Sequence, residues 1–398
     1  MADLETFRAE LRTWLAANAP KSIVGTPGAA LDGNWGGRKA KYANPDMKRW
    51  LDVCAERGLT APEWPKAYGG AGLSREEHKA FRQELAAAKL PAPLIGFGLT
   101  MIGPTLLLFG NEEQKKEHLP KICRGEIRWC QGYSEPGAGS DLAGLQTRAV
   151  LDGDHYVING QKIWTSYADQ ADWMFCLVRT DPNAKKQEGI TFLLFDMETP
   201  GVTVKPIKLI SGSSPFCETF LTDVRASVKN VVGKVNGGWT VAKALLAHER
   251  TMIGDAFGAA PGSGEGRGLV GWARESLEFE DGALADASLR HRIAQIEMDT
   301  RTFVLTTQRA RDAAKAGHAP GNESSMFKVY ATELNQRRFE VMLSIAGPQA
   351  LGWEGPGFDE RELGLTRDWL RSRGNTIEGG TSEVQLNIIA KRVLGLPD

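Results

Sequence analysis

The feature that most limits what this chain can fold into is a double change of hydrophobic period along its length. The first third repeats apolar residues at helical spacing. Leu4, Phe7, Leu11, Trp14 and Leu15 share one face behind Asp3, a candidate N-cap, and Met47, Trp50, Leu51 and Cys54 repeat the pattern. Ser74 and Glu77 form a capping-box pair ahead of Phe81 and Leu85, and Asn111 is placed to cap a helix running to Leu119. Near Arg128 the period falls to two. Thr147, Ala149 and Leu151 alternate with polar residues, Asp152-Gly153-Asp154 turns the chain, and Tyr156 and Ile158 follow. Asn159-Gly160 is a strong tight-turn signal between strands. Further strands are expected at Trp173–Arg179, Ile190–Met197 and Val202–Leu209, with the β region ending near Val232.

Helical spacing returns after Gly238, in a helix from Trp239 that passes Glu249. Pro261–Gly268 reads as a Gly/Ser-rich loop. Long helices are expected at Leu284–Ala316 and Ser324–Ala346, and a last one from Thr381 to Leu394, stopped by Gly395 and Pro397. The plan is therefore helices, a β domain, then a helical bundle. Expected domains are residues 1–127, 128–235 and 236–398.

Composition removes several function classes. The 398 residues carry 48 basic and 49 acidic side chains, net −1, so nothing in the charge favours nucleic acid or a membrane surface as partner. The five cysteines are odd in number and form no CxxC pair, which argues against a disulfide framework or a metal site. Reduced, mostly buried thiols in a cytoplasmic protein are expected. The N-terminus MADLETFRAELRTWL lacks both the apolar core of a signal peptide and the acid-poor character of a transit peptide. The most apolar window, Leu94 to Phe109, is broken by Gly96, Gly98, Gly103 and Pro104, and reads as a core helix or pocket wall rather than a membrane span.

Three stretches carry chemistry. In Tyr133–Asp141 (YSEPGAGSD) a strand gives way to a tight Gly/Pro turn, which exposes backbone N–H groups and small hydroxyls; alone it reads as an ordinary surface turn. Gly160–Ser166 (GQKIWTS) ends on an indole and a hydroxyl, and Gly379–Gly395 (GGTSEVQLNIIAKRVLG) opens on a glycine pair. Together, in this order and with GNEEQKKEHLP at Gly110–Pro120, these stretches resemble the acyl-CoA dehydrogenase family over essentially the whole chain.

The resemblance implies an α+β multidomain fold: an N-terminal all-α domain, a middle β-barrel-like domain and a C-terminal four-helix bundle. It implies FAD as cofactor, held by Tyr133, Ser134, Ser140, Trp164, Ser166, Thr381 and Glu383, with Trp164 against the flavin ring and Ser166 near its reactive nitrogen. It implies α,β-dehydrogenation of an acyl-CoA thioester, in which a base takes the α-proton while the β-hydrogen leaves as hydride. Ser140, Arg250 and Gly379 are the expected substrate contacts, and no metal is implied. Partners are the acyl-CoA, an electron-transfer flavoprotein, and further copies of the chain in a dimer or tetramer.

This sequence departs from the family pattern in two places. Gly379 stands where many members carry the catalytic carboxylate, in Ile377-Glu378-Gly379-Gly380-Thr381. A second family location, a Glu-Arg pair on the first helix after the β domain, is present as Glu249-Arg250, used in members that take bulky, branched or long acyl groups. Glu249 is thus the expected base, with Glu378 as rival, and the N–H of Gly379 remains free to donate to the thioester oxygen. The second departure concerns groups that reach the far end of the flavin from a neighbouring subunit. Phe279 survives in ARESLEFED without its usual Arg and Gly, and Ser344-Ile345-Ala346-Gly347-Pro348 replaces a Gln-x-x-Gly-Gly stretch. This resembles two-chain acyl-CoA dehydrogenases acting on steroid side chains and dicarboxylic acids, although Arg274 could hold the pyrophosphate locally. An oxidase on the same fold and a flavin-poor partner subunit are the competing readings.

Overall fold

The computed structural model describes residues 2–25, 34–246, 268–316 and 323–397. Two compact units divide the chain: Met1–Ile207 with Pro215–Leu245, and Lys208–Ser214 with Leu246–Asp398.

The first unit opens with α1 (Ala2–Asn18), α2 (Pro45–Glu56), α3 (Arg75–Ala87), α4 (Gly103–Phe109) and α5 (Glu112–Cys123). Local capping explains where they start. Ser74 and Glu77 close a reciprocal capping box on α3, Asn111 and Gln114 do the same on α5, and Asn44 accepts from Asp46 N with Pro45 in the first turn of α2. Asp3 is not a cap: α1 already includes it, so its carboxylate lies in the first turn beside the positive end of the helix dipole. Leu11, Leu15, Trp50, Cys54, Phe81 and Leu85 bury one core, as their spacing demands. Glu84 ties α3 to α1 through Arg8 (2.8 Å) and Arg12 (2.7 Å). The apolar window beyond Leu94 forms a π-helical turn, Gly98–Ile102, followed by α4.

The middle of the unit is one seven-stranded sheet: β1 (Trp129–Gly132), β2 (Arg148–Asp152), β3 (His155–Ser166), β4 (Trp173–Arg179), β5 (Ile190–Asp196), β6 (Val202–Ile207) and β7 (Phe216–Ser227). The path runs β1-β4-β2-β3-β7-β6, with β5 also paired to β4, so the sheet curls around its core. Cys130, Ile158, Met174, Cys176, Leu193, Phe195 and Val224 are among the residues that fill it. The Asn159-Gly160 expectation is wrong. β3 runs straight through both residues, and the turn before it is the one at Gly153 (φ 62°). The irregularity lies opposite, in β7, where the register advances three residues against two on β3 and Asp223 is forced to φ 52°. Asn159 closes that bulge, donating to Asp223 Oδ1 at 2.9 Å and accepting from Asp223 N at 3.0 Å. Gly160 is required by close approach, because a Cβ there would lie 2.5 Å from Thr147 Oγ1.

A helix over 238–246, here α6, follows the sheet. Its first residue is glycine for a packing reason: a Cβ on Gly238 would sit 2.5 Å from Phe192 N in β5. Glu249, Arg250 and most of the expected Pro261–Gly268 loop lie outside the described residues.

The second unit contains α7 (Leu269–Ser276), a short ribbon of β8 (Phe279–Glu280) and β9 (Ala283–Leu284), α8 (Ala287–Lys315), α9 (Glu323–Ala346), α10 (Glu360–Ser372) and α11 (Ser382–Ile388). α9 is the axis against which α7, α8, α10 and α11 pack. Leu289, Ile293, Ile296, Phe303, Leu334, Val341 and Ile345 lie at helical spacing in the shared core. Among the described residues, no helix is long and apolar enough to cross a membrane, and no cluster of His, Cys, Asp and Glu could hold a metal. All five cysteines are free and buried. Burial pushes the Cys176 and Cys217 thiols up to about 11 and Cys123 up to about 12, so they stay protonated.

Candidate active site

The Tyr133–Asp141 loop leaves the end of β1 and is pinned from beneath. Glu135 and Ala138 exchange backbone hydrogen bonds at 3.0 Å, which closes the turn around Pro136 and Gly137. The Glu135 side chain points inward, where Lys162 of β3 meets it. Lys162 is wholly buried, and its Nζ donates to Glu135 Oε1 (2.8 Å) and to the Tyr133 carbonyl (3.1 Å). The remaining acceptor capacity of Glu135 is taken by Gln146 N (2.6 Å) and Thr147 N (2.9 Å). Burial pushes this carboxyl up, but Lys162 and the hydrogen bonds outweigh it and hold the group below the ordinary carboxylate value. On the other face of the loop, Tyr133 is buried, Ser134 half-buried and Ser140 exposed. A Cβ on Gly137 or Gly139 would meet nothing within 4 Å, so that rim is open.

The end of β3 lies against this loop, because Ile163 N donates to Ser134 O at 2.9 Å. Strand alternation would turn Trp164 to the same side as buried Lys162. A bulge prevents it: from Lys162 to Thr165 the register advances three residues on β3 against two on β7. The backbone of Trp164 takes φ 59°, a conformation that costs a bulky residue about 1–3 kcal/mol. The indole is thereby turned out, 52% exposed, edge-on to Phe216 with centroids 5.9 Å apart. Thr165 returns inward and bonds Cys217 O (2.9 Å) and Thr219 Oγ1 (2.8 Å), leaving Ser166 half-buried beside the exposed ring. A flat aromatic wall, two small hydroxyls and an open glycine rim suit a planar ring system with an attached phosphate, so the residues present fit FAD.

The third motif lies in the second unit. Gly379 (φ 65°) and Gly380 (φ 92°) adopt left-handed backbone, and a Cβ on Gly380 would come 2.4 Å from Gln385 Nε2. Thr381 caps α11, accepting from Val384 N at 3.2 Å, while exposed Glu383 is held below the usual carboxylate range by its own backbone N–H and by Thr381. Gln385 donates to Gly379 O at 3.1 Å. Glu378 is engaged, accepting from Arg371 (2.7 Å) and from Asn375 Nδ2 (2.6 Å). A carboxylate spent on a guanidinium and an amide is poorly placed to take a proton from carbon. Phe279 sits exposed on β8, and Arg274 is exposed on α7.

Tyr133, Ser134, Trp164 and Ser166 thus come together in the first unit, with Ser140 on the rim of the same loop. Thr381, Glu383 and Gly379 come together in the second. The pairing of Glu135 with Lys162 and the anchoring role of Gln385 were not legible, although all three residues stand inside the motifs. A lysine in phase with Tyr156 and Ile158 on an inward strand face was the available signal, since such a charge requires an acidic partner.

Comparison with known proteins gives a consistent result. Family models match the chain in three consecutive pieces: "Acyl-CoA dehydrogenase, N-terminal domain" over residues 34–126, "middle domain" over 130–224 and "C-terminal domain" over 236–394. The chain is 38% identical over 399 residues to "Acyl-CoA dehydrogenase IpdE1" of Mycobacterium tuberculosis, covering 100% of this chain and 99% of that protein. Among solved structures it resembles the "Tcur3481-Tcur3483 steroid ACAD" (31% identity, TM-score 0.77, 100% and 98% covered). It also resembles a chain of the ChsE4-ChsE5 complex from Mycobacterium tuberculosis (30% identity, TM-score 0.74, 100% and 98% covered).

Proposed function

The chain belongs to the acyl-CoA dehydrogenase family of oxidoreductases, and from that premise we propose that it performs FAD-dependent α,β-dehydrogenation of a bulky, steroid-type acyl-CoA thioester, with Glu249 as the base. The observation that carries the reading is the outward indole of Trp164, held on a bulge at a backbone cost and framed by Ser134 and Ser166. Structure is seldom strained to expose an indole unless something flat is to cover it.

FAD would be held by Tyr133, Ser134, Trp164 and Ser166 around its ring, by Ser140 toward its phosphates, and by Thr381 and Glu383. The chemistry supplied there by bound FAD is acceptance of the hydride that leaves the β-carbon. The protein's own residues do the rest. Glu249 takes the α-proton, a task for which a carboxylate kept from water is the stronger base. Gly379 N–H donates to the thioester oxygen as negative charge grows on it, a task that needs no side chain. Arg250 and Ser140 contact the substrate. An electron-transfer flavoprotein would be the redox partner. The steroid-type acyl group is supported by the words "steroid ACAD" in a solved neighbour's description, and by the Glu-Arg location of the base. The missing Arg and Gly around Phe279 favour a second, homologous chain completing the flavin site, in keeping with the two-chain ChsE4-ChsE5 neighbour.

Glu249→Gln should retain flavin absorbance and acyl-CoA binding while turnover falls roughly 10²–10⁴-fold, measured on a thioester panel with an artificial electron acceptor. Near-normal turnover in that variant, with Glu378→Gln inactive, would transfer the role to Glu378.

A further inference from the structure

Lys328 is on α9 and is 0% exposed, yet its Nζ has no hydrogen-bond partner among the described residues. Burial pulls its ammonium below the ordinary lysine value, against the opposing pull of Glu378, Glu383 and Glu333. Taking a charge out of water without a hydrogen-bonded partner is costly, and an apolar side chain of the same volume would be the stable choice. Its location suggests what the charge is kept for. Glu378 and Glu383, carboxylates within its electrostatic reach, flank the turn that contains Gly379 and Gly380. α11 packs on α9, and on α11 the buried Ser382 Oγ and Gln385 Oε1 also lack partners among the described residues. The same Gln385 fixes the turn through Gly379 O and through contact with Gly380. A buried, unbonded cation on α9 therefore lies within electrostatic reach of both carboxylates that flank the glycine turn, the turn that replaces the usual loop carboxylate.

We propose that Lys328 is a positioning residue for the dehydrogenation: its ammonium acts by its field on the carboxylates that flank the Gly379–Gly380 turn, which Gln385 holds in place, and adds positive potential at the Gly379 N–H. This rests on the reading that the turn faces an acyl thioester. As Glu249 takes the α-proton, the electron pair left behind spreads onto the thioester oxygen, and a fixed cation whose potential reaches the donor favours that charge over the neutral ground state. Lys328 touches neither substrate nor cofactor; it acts through the turn.

The test uses the purified flavoprotein as it assembles, comparing Lys328→Met, Lys328→Arg and Gln385→Leu with the parent. Four quantities are read: thermal midpoint, flavin content, kcat and KM on the best thioester of the panel, and binding of acetoacetyl-CoA, whose enolate mimics the charged state. Lys328→Met is expected to keep its flavin and keep or raise its midpoint, while kcat falls about 10- to 100-fold and KM changes less than about threefold. Acetoacetyl-CoA should bind at least about tenfold more weakly, and Lys328→Arg should recover part of both losses. Gln385→Leu, which keeps the charge, should lower kcat in the same direction. A Lys328→Met protein that loses flavin or melts earlier overturns the proposal in favour of a structural lysine, as does unchanged kcat in both Lys328→Met and Gln385→Leu. A parent protein that turns over no thioester and binds no acetoacetyl-CoA defeats the underlying assignment instead.

Discussion

Lys162 in the middle domain and Lys328 in the C-terminal bundle are both wholly buried, but their surroundings differ completely. Lys162 has a carboxylate at 2.8 Å and a carbonyl at 3.1 Å, and that carboxylate is in turn saturated by two backbone N–H groups. It joins a loop to a strand, with its charge paired and hydrogen-bonded. Lys328 has carboxylates within reach but no hydrogen bond among the described residues. A satisfied buried charge is explained by the fold around it. An unsatisfied one opposes the fold, and its retention points to a task outside stability. The difference separates a residue that builds the site from one that acts on it.

The comparison can be broken by stability measurements, and the largest expected effect is at the satisfied site. Lys162→Met leaves Glu135 buried without its counterion and should cost about 3–5 kcal/mol in denaturant unfolding, with Glu135→Gln in the same chain recovering part of it. An equal loss from Lys328→Met would erase the contrast.

Acid is the next probe. Burial between Trp129 and Trp173 lowers His118 to about 4 from the ordinary 6.5, so the unfolded chain takes up that proton first. Stability contributed by neutral His118 is complete above about pH 6.5 and is lost as pH falls toward about 4, roughly 3 kcal/mol in all. Glu135, also depressed, adds a loss in the same direction below the ordinary carboxylate value of 4.5. His118→Phe should flatten the upper part of this acid limb in a pH series of melting curves.

Lys328 carries the same sign into alkali. Its folded value lies below 10.5, so as pH rises between the two the folded state sheds the proton first and the burial cost lifts. The bundle should therefore gain stability over that window, and Lys328→Met should remove the gain. The smallest effect calibrates the scale: Ser74→Ala, which deletes an exposed N-cap, should cost about 1 kcal/mol.

Much of this architecture was legible because helix and strand periods are local. The capping boxes at Ser74 and Asn111, the core stripes of α1 and α2, and the strands β4 and β5 follow from residues a few positions apart. What failed was non-local. Asn159-Gly160 carries the local signature of a hairpin, but its geometry is set by a bulge in β7, 64 positions away in sequence. The strand β7 itself was hidden because that bulge interrupts its alternation, and α10 because only Leu365 and Ser372 of its thirteen residues are buried. In the site, motif strings gave Trp164, Ser134 and Gly379. The buried charges, Glu135 with Lys162 and Lys328 on α9, are choices made by the packed interior.

The five buried thiols have a practical consequence. A maleimide dye offered to the native protein meets no accessible thiolate, so the wild-type chain is a silent background for site-directed labelling. One cysteine introduced at exposed Ser140 would take a single fluorophore per chain on the rim of the Tyr133–Asp141 loop. Its emission would then report nucleotide arrival there in real time, without any of the five native cysteines having to be replaced.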